Sequence, residues 1–497
     1  MPRSNSGISK VAAAVIAVVV IIALIIGVYY ATLPPGPTPT PATPTPTPKT
    51  PTPTTPTPAT STPTPATPTP ATPTPTPATP TPTPATPTPT PATPTPATPT
   101  LTPTPTTPTP ATPTPGPEKI KVGMIASLTG ALATVGRVQR IIAEEAVKTI
   151  NSEDGINVKQ YGRKIPIEVV LVDDESNPGR ATELAVKLAT EGGVVIVVCQ
   201  SYAFISTPVA KVTERYGIPL LNTSPVEFFA AAGPWNYSWC YATSYLRHVE
   251  GFVAFLNNYR GQTNNKVGVV LSDDIIGRTQ NQMLTSMLEQ AGYTVFNPGL
   301  YPPDTTDFAA VIMQLKLANC EILWEHGTPP IFAAFWRQCK MLGYKPKILY
   351  QSGGLSRLEE VKALGEDLAL GIITGIAWHE DYPFPLSVAY GELWRKYLKE
   401  GIDLGTTGAF EFTCWFILKD AIERAGTLDR QAINKAISET NMMGACGPVS
   451  YDLKTHTSSG YMSLGQWMKT ADGQMVLQPI WSEVAEVKVV KPIFPLP

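Results

Sequence analysis

The sequence is poor in the residues that most enzyme chemistry requires. Four histidines in 497 residues, with no HExxH and no CxxC spacing, leave little room for a metal centre. There is no GxSxG elbow and no GxxxxGK[ST] loop, so two common catalytic and phosphate-binding motifs are missing. Charge is sparse at 15% of residues, and the first 117 residues contain no acid. Only Arg3, Lys10 and Lys49 of the 37 Lys and Arg residues precede Glu118, so the remainder carries 34 bases against all 39 acids. A mildly acidic body without a basic run argues against nucleic acid as a partner. The pairs Asp173-Asp174 and Asp273-Asp274 each end an apolar run before a helical pattern, where aspartate serves as a cap. His379-Glu380-Asp381 has no second histidine at ligand spacing. No enzymatic activity and no cofactor are expected.

What the chain has in excess is proline. Of its 55 prolines, 35 fall within residues 34–117, among threonine and alanine. Proline fixes φ and pushes its predecessor toward extended geometry, so this segment reads as a disordered polyproline II stalk, ~260 Å long if fully extended. Its composition also suits O-glycosylation. Before it, residues 11–31 are uncharged and mostly Ala, Val and Ile. As a helix they would span ~30 Å, the hydrocarbon thickness of a bilayer. Arg3 and Lys10 precede this run, which predicts a single-pass anchor in the cell membrane, N-terminus cytoplasmic and body extracellular. The run is longer than a cleaved secretory signal, the other reading. Ser6-Gly7-Ile8-Ser9-Lys10 also resembles the class III, prepilin-type signals of some archaeal surface proteins, which would leave the apolar helix attached after cutting behind Gly7.

The body is different in kind. Apolar runs at residues 120–126, 165–173, 194–199 and 218–221 alternate with helical periodicity, and the rhythm restarts at residues 266–271. Further strands are expected at 293–296, 321–324, 347–350 and 371–376, with late helices over 407–426 and 429–440 that pack back on the first lobe. Strand–helix alternation of this length predicts α/β architecture with two doubly wound parallel-sheet lobes. The expected division is residues 1–33 for the anchor or signal, 34–117 for the stalk and 118–497 for the body. Lobe 1 takes about 118–245 plus 376–446, and lobe 2 about 246–375 plus 449–497.

Ligands in open parallel sheets bind outside the carboxyl ends of the strands. Those ends give Ser127, Thr129, Ser201, Tyr202, Ala203, Thr223 and Ser224 in the first lobe. In the second they give Asp274, Glu325, Thr328, Ser352, Gly353 and, near the lobe crossover, Trp378. The competing reading of the Ser and Thr residues is ordinary helix capping. Six cysteines outside a membrane permit disulfides. Cys320 with Cys339 is the first choice, because both lie at one edge of a βα unit; Cys199 with Cys240 and Cys414 with Cys446 follow, against the alternative of free buried thiols. Asn222 and Asn236 open glycosylation sequons, with Asn236 favoured because Asn222 sits at a strand end.

The body resembles the solute-binding proteins of ABC importers for branched-chain amino acids and amides, which have the type 1 periplasmic-binding-protein fold. The resemblance rests on Lys121-Val122-Gly123-Met124-Ile125 with Leu128-Thr129-Gly130, on Val172-Asp173-Asp174 with Asn177-Pro178, and on Glu214-Arg215-Tyr216-Gly217-Ile218-Pro219. Asp307-Phe308, Met443-Gly444 and Gly447-Pro448-Val449 continue the order, which runs over residues 119–468. It implies two lobes that close on a solute, joined by three crossovers near residues 243–246, 374–377 and 447–449. It also implies a site from which this chain departs. The serine position for the ligand carboxylate matches Ala203 or Ser201, a threonine position matches Val226, and aromatic positions match Val135, Ile276 and Thr328. The acid that would pair with the ligand's ammonium matches Gly353, which argues against a plain branched-chain amino acid unless Glu325 compensates.

The expected function is therefore an extracellular solute-binding protein. It would capture a small polar solute, an amino acid, an amide or similar, and deliver it to an ABC permease in the membrane. The alternatives are a surface-assembly or adhesion protein, or a sensor, reusing the same fold.

Overall fold

The fold is described from a computed structural model covering residues 116–497; the expected membrane helix, the signal segment and all but the last two stalk residues lie outside the described residues. Within the described residues no helix is long and apolar enough to cross a membrane.

The chain first lays down β1 (Ile120–Ala126), β2 (Ile167–Asp173), β3 (Ile196–Cys199), β4 (Leu220–Asn222) and β5 (Ser238–Ala242), with helices between them. It then crosses into β6 (Lys266–Leu271), β7 (Thr294–Phe296), β8 (Ile322–His326), β9 (Ile348–Gln351) and β10 (Ile373–Ile376). From there it returns to the first lobe through helices Pro385–Lys399, Gly408–Ala425 and Arg430–Ser438, and adds β11 (Thr457–Ser459). A last crossing leads to β12 (Ser463–Lys469) and β13 (Met475–Ser482). The first sheet has the order β11-β5-β4-β3-β1-β2, parallel throughout. The second has the order β13-β12-β10-β9-β8-β6-β7, parallel from β10 to β7, with β12 and β13 added antiparallel at one edge.

The sequence explains these layers. Every residue of β3 is buried, and its side chains divide by alternation, Ile196 and Val198 into one core cluster, Val197 and Cys199 into another. A strand apolar at every position is what two covered faces require. Helix Pro178–Thr190 starts where expected, with Asn177 Oδ1 accepting from the N–H groups of Gly179 (2.8 Å) and Arg180 (3.1 Å). Gly217 ends helix Ala203–Tyr216 in the left-handed region at φ 61°, a conformation that favours glycine. Helix Gly408–Ala425 joins the first-lobe core with Ala133–Ser152, where Ile142 and Ala146 share a cluster with Trp415 and Ile417.

Two crossovers fall near residues 243–244 and 377. The third is corrected. Residues 447–449 belong to a hairpin, Asn441–Gly444 with Gly447–Ser450, whose Cys446 and Val449 pack in the first-lobe core. The crossing occurs at 460–462, between β11 and β12. Carboxylates fasten the crossing segments. Glu227 accepts from Ser244 Oγ (2.6 Å) and from the N–H groups of Tyr245 and Leu246 (3.1 Å each). Glu483 takes both its oxygens to Arg247 Nη1 at 2.9 Å and accepts from Met462 N at 2.7 Å.

The disulfide expectation is also corrected. Cys199, Cys240, Cys320, Cys339, Cys414 and Cys446 are all free and buried. Each expected pair does share a core cluster, yet its members pack there as small apolar side chains; Cys240 Sγ donates to the carbonyl of Ser224 at 2.9 Å. Asn222 is fully buried, with Oδ1 accepting from Ser224 N at 3.0 Å, so no glycan fits there in the folded protein. Asn236 is exposed.

Candidate functional site

In the first sheet β2 and β3 lie on opposite sides of β1, and in the second β7 and β8 lie on opposite sides of β6. Such reversals open a crevice beyond the carboxyl ends of the strands. A cavity of about 230 Å³ occupies this place and is walled by both lobes. From the first lobe come Ser201, Tyr202 and Ala203 after β3, and Thr223 and Ser224 after β4. From the second come Ser352 and Gly353 after β9. These seven strand-end residues were expected from the sequence, and the structure brings them together.

Six others are placed elsewhere. Ser127 is buried under the start of helix Ala133–Ser152, its carbonyl against Gly136. Thr129 is exposed and donates to Asp173 Oδ2 at 2.7 Å. Asp274 caps its helix, with Oδ1 accepting from Gly277 N at 2.8 Å. Thr328 is exposed at the start of helix Pro329–Met341. Glu325 is fully enclosed and accepts from Tyr301 Oη and from Gln351 Nε2, both at 3.3 Å, so it faces its own lobe. Trp378 turns into the first-lobe core, where its Nε1 donates to Ser387 Oγ at 2.6 Å and its ring meets Tyr390 edge-on.

The walls also hold residues that strand-end reasoning did not reach: Gln139 on helix Ala133–Ser152, Gln200 at the end of β3, His248, Arg357, and Phe410 with Glu411 in the first turn of helix Gly408–Ala425. They knit together. Gln139 Nε2 donates to the carbonyl of Gln200, and Gln200 Nε2 donates to the carbonyl of Glu411 at 2.8 Å. Burial pushes the Glu411 carboxyl up to about 8, against the opposing pull of Arg357 and a hydrogen bond from Gln139. His248 is held between Thr243 Oγ1 (2.8 Å) and Tyr350 Oη (2.6 Å), and burial lowers its pKa to about 3. Glu360 is engaged by the N–H groups of Ser356 (2.8 Å) and Arg357 (3.0 Å). Three buried polar atoms of wall residues have no hydrogen-bond partner: Gln200 Oε1, Glu411 Oε2 and Arg357 Nε. Buried polar groups are nearly always satisfied, so three unpartnered ones around one cavity stand out. Among the described residues no group of three or more metal-ligating side chains occurs.

The profile of the periplasmic binding protein family matches residues 119–474. The Leu/Ile/Val-binding protein homolog 1 of Brucella abortus is 25% identical over 365 residues, 71% of this chain and 92% of that protein. The leucine-, isoleucine-, valine-, threonine- and alanine-binding protein of Pseudomonas aeruginosa is 24% identical over 363 residues, 71% of this chain and 91% of that one. Among solved structures, the branched-chain amino acid transporter substrate-binding protein LivJ of Streptococcus pneumoniae, in complex with isoleucine, superposes with a TM-score of 0.61 at 17% identity. That match covers 72% of this chain and 99% of LivJ, and at this identity it speaks for the fold. The leucine-binding protein LivK of Thermotoga maritima gives the same TM-score at 18% identity, over 72% and 97% of the two chains.

Proposed function

The chain belongs to the type 1 periplasmic binding protein family, and from that premise we propose that its body captures a small amino acid or amide between the two lobes for an ABC permease. One observation carries the reading: a cavity at the carboxyl ends of both sheets, walled from both lobes, with buried polar atoms left unpartnered. Its size suits a solute of a few heavy atoms. The three crossing segments supply the hinge about which such lobes close. The names of the relatives support an amino acid as the solute class.

The wider setting follows from the sequence and is part of the proposal. Residues 11–31 would hold the chain in the cell membrane, the proline-rich segment would give the body reach outside it, and Asn236 would accept a glycan. The permease would be the membrane partner.

The test is the melting temperature of the full-length chain, in detergent micelles, against the common amino acids, small amides, short peptides, sugars and organic acids. A solute at a hundred times its Kd adds about 2.7 kcal/mol, a rise of a few degrees. At least one amino acid or amide is expected to give that rise. No rise across the panel in a well-folded protein would turn the reading toward surface assembly.

A further inference from the structure

Gly353 stands where the resemblance places the acid that pairs with a solute's ammonium, and its surroundings exclude an acid. A β-carbon on Gly353 would lie 1.9 Å from the carbonyl oxygen of Gly327 and 2.7 Å from Gln351 Nε2. The loops after β8 and β9 touch there, and only a residue without a side chain permits it. Glu325, the nearest acid at a strand end of that lobe, is turned to Tyr301 and Gln351.

The unpartnered acceptors lie on the opposite wall. Glu411 is 6% exposed and Gln200 3%, and neither Glu411 Oε2 nor Gln200 Oε1 has a hydrogen-bond partner. Gln200 Nε2 donates to the main-chain carbonyl of Glu411, which ties the Gln200 side chain to the first turn of that helix and commits the amide nitrogen, so that the amide oxygen is the free end. Two enclosed acceptors lining the same cavity call for N–H donors. Resting on the solute-binding reading, we propose that Glu411, with Gln200 beside it, receives the ammonium group of the solute. The cation subsite has thus moved from the second lobe to the first.

The one cation nearby opposes an ammonium, and its charge is offset by the acids around it. Arg357 is the cation that acts on Glu411, and it is itself stabilised by Glu360, Glu411 and Asp403 as well as by Tyr202. His248, across the cavity, stays neutral. Because burial keeps Glu411 protonated near neutral pH, an arriving ammonium favours its ionised form, and the proton leaves to the buffer.

The test is titration calorimetry of the full-length chain at pH 7 in two buffers of different ionisation heat. The probes are the common amino acids, acetamide and, for any amino acid that binds, the same acid without its amino group. We expect the amino acid to bind about tenfold or more tightly than its des-amino form, with net proton release. Glu411→Gln, close in shape and shown to be folded by a cooperative melt, should lose about tenfold in affinity and the proton release with it. Equal binding by Glu411→Gln, or by the des-amino acid, overturns the inference while leaving solute binding intact. Binding of only donor-free solutes also overturns it. Silence of every probe removes the solute-binding reading and the inference together.

Discussion

Gly353→Asp is expected to destabilise the protein and abolish solute binding. The change would restore the acid that the resemblance calls for, so simple analogy predicts tighter binding of an ammonium group. The geometry predicts the reverse. A β-carbon 1.9 Å from the carbonyl of Gly327 cannot be accommodated without moving one of two backbone loops, and overpacking of this kind costs ~3 kcal/mol or more. The displaced segment carries Ser352 and Gly354 in the cavity wall. A carboxylate there would also come near the enclosed acid Glu325, whose hydrogen-bond partner Gln351 is itself 2.7 Å from the new β-carbon. Urea unfolding measures the first effect and calorimetric titration the second, where a loss of about 100-fold is expected from the ~2–3 kcal/mol of contacts displaced. An unchanged midpoint with improved binding would mean that the loop yields easily and that the second lobe still holds the cation subsite.

Stability should peak between about pH 4.5 and 6.5 and fall on both sides. Glu325 and Glu411 are each raised from 4.5 to about 8 by burial. Their contribution is fully present below 4.5 and is lost as pH rises through 8, because the unfolded chain ionises where the folded one resists. His326 and His248 are lowered from 6.5 to about 4 and about 3, chiefly by burial. Their contribution is present above 6.5 and is lost as pH falls through those values, because the unfolded chain takes up protons first. The slopes oppose one another between 4.5 and 6.5. Above 6.5 only the carboxyls act, and raising the pH to 8 removes up to about 4 kcal/mol, counting ~1.4 kcal/mol per group and pH unit. His248 is only half-buried, so the acid limb is the shallower of the two per group. Urea midpoints from pH 4 to 9 measure the profile. Glu411→Gln should remove about half of the alkaline limb, and a flat profile from 6.5 to 8 would contradict the burial of these carboxyls.

The residues that the sequence revealed and those it concealed differ for a physical reason. Strand ends are local. Ser201, Tyr202, Ala203, Thr223, Ser224, Ser352 and Gly353 reach the cavity because parallel strands deliver their carboxyl ends to one edge, and apolar runs show where those ends fall. Glu411 is not local in this sense. It sits in Ala409-Phe410-Glu411-Phe412-Thr413-Cys414-Trp415, which reads as a core helix, and only the return of that helix to the first lobe brings its carboxyl to the wall. A single acid in the apolar first half of that helix was the available signal. Trp378 shows the opposite failure. Its place just after β10 is at the crossover as expected, but the chain turns there into the first lobe and takes the ring with it. The third crossover was misplaced because the resemblance set it at Gly447-Pro448-Val449, which forms one arm of a hairpin. The cysteines in each expected pair are neighbours in the core, and spacing alone does not distinguish proximity from a bond.

The central claim is that two lobes close on a solute, and the distance between the lobes tests it most directly. Spin labels on cysteines introduced at Arg180 and Asp304 would sit on exposed positions beyond the carboxyl ends of the two sheets. The six native thiols are buried, and burial raises Cys320 to about 11 and Cys414 to about 12, so they compete poorly for the label. With a solute identified by the melting screen, the account predicts a shorter and narrower distance distribution at saturation, and reversal when the solute is removed. A distribution that stays the same at saturating solute would contradict closure about the crossing segments, whatever the affinity.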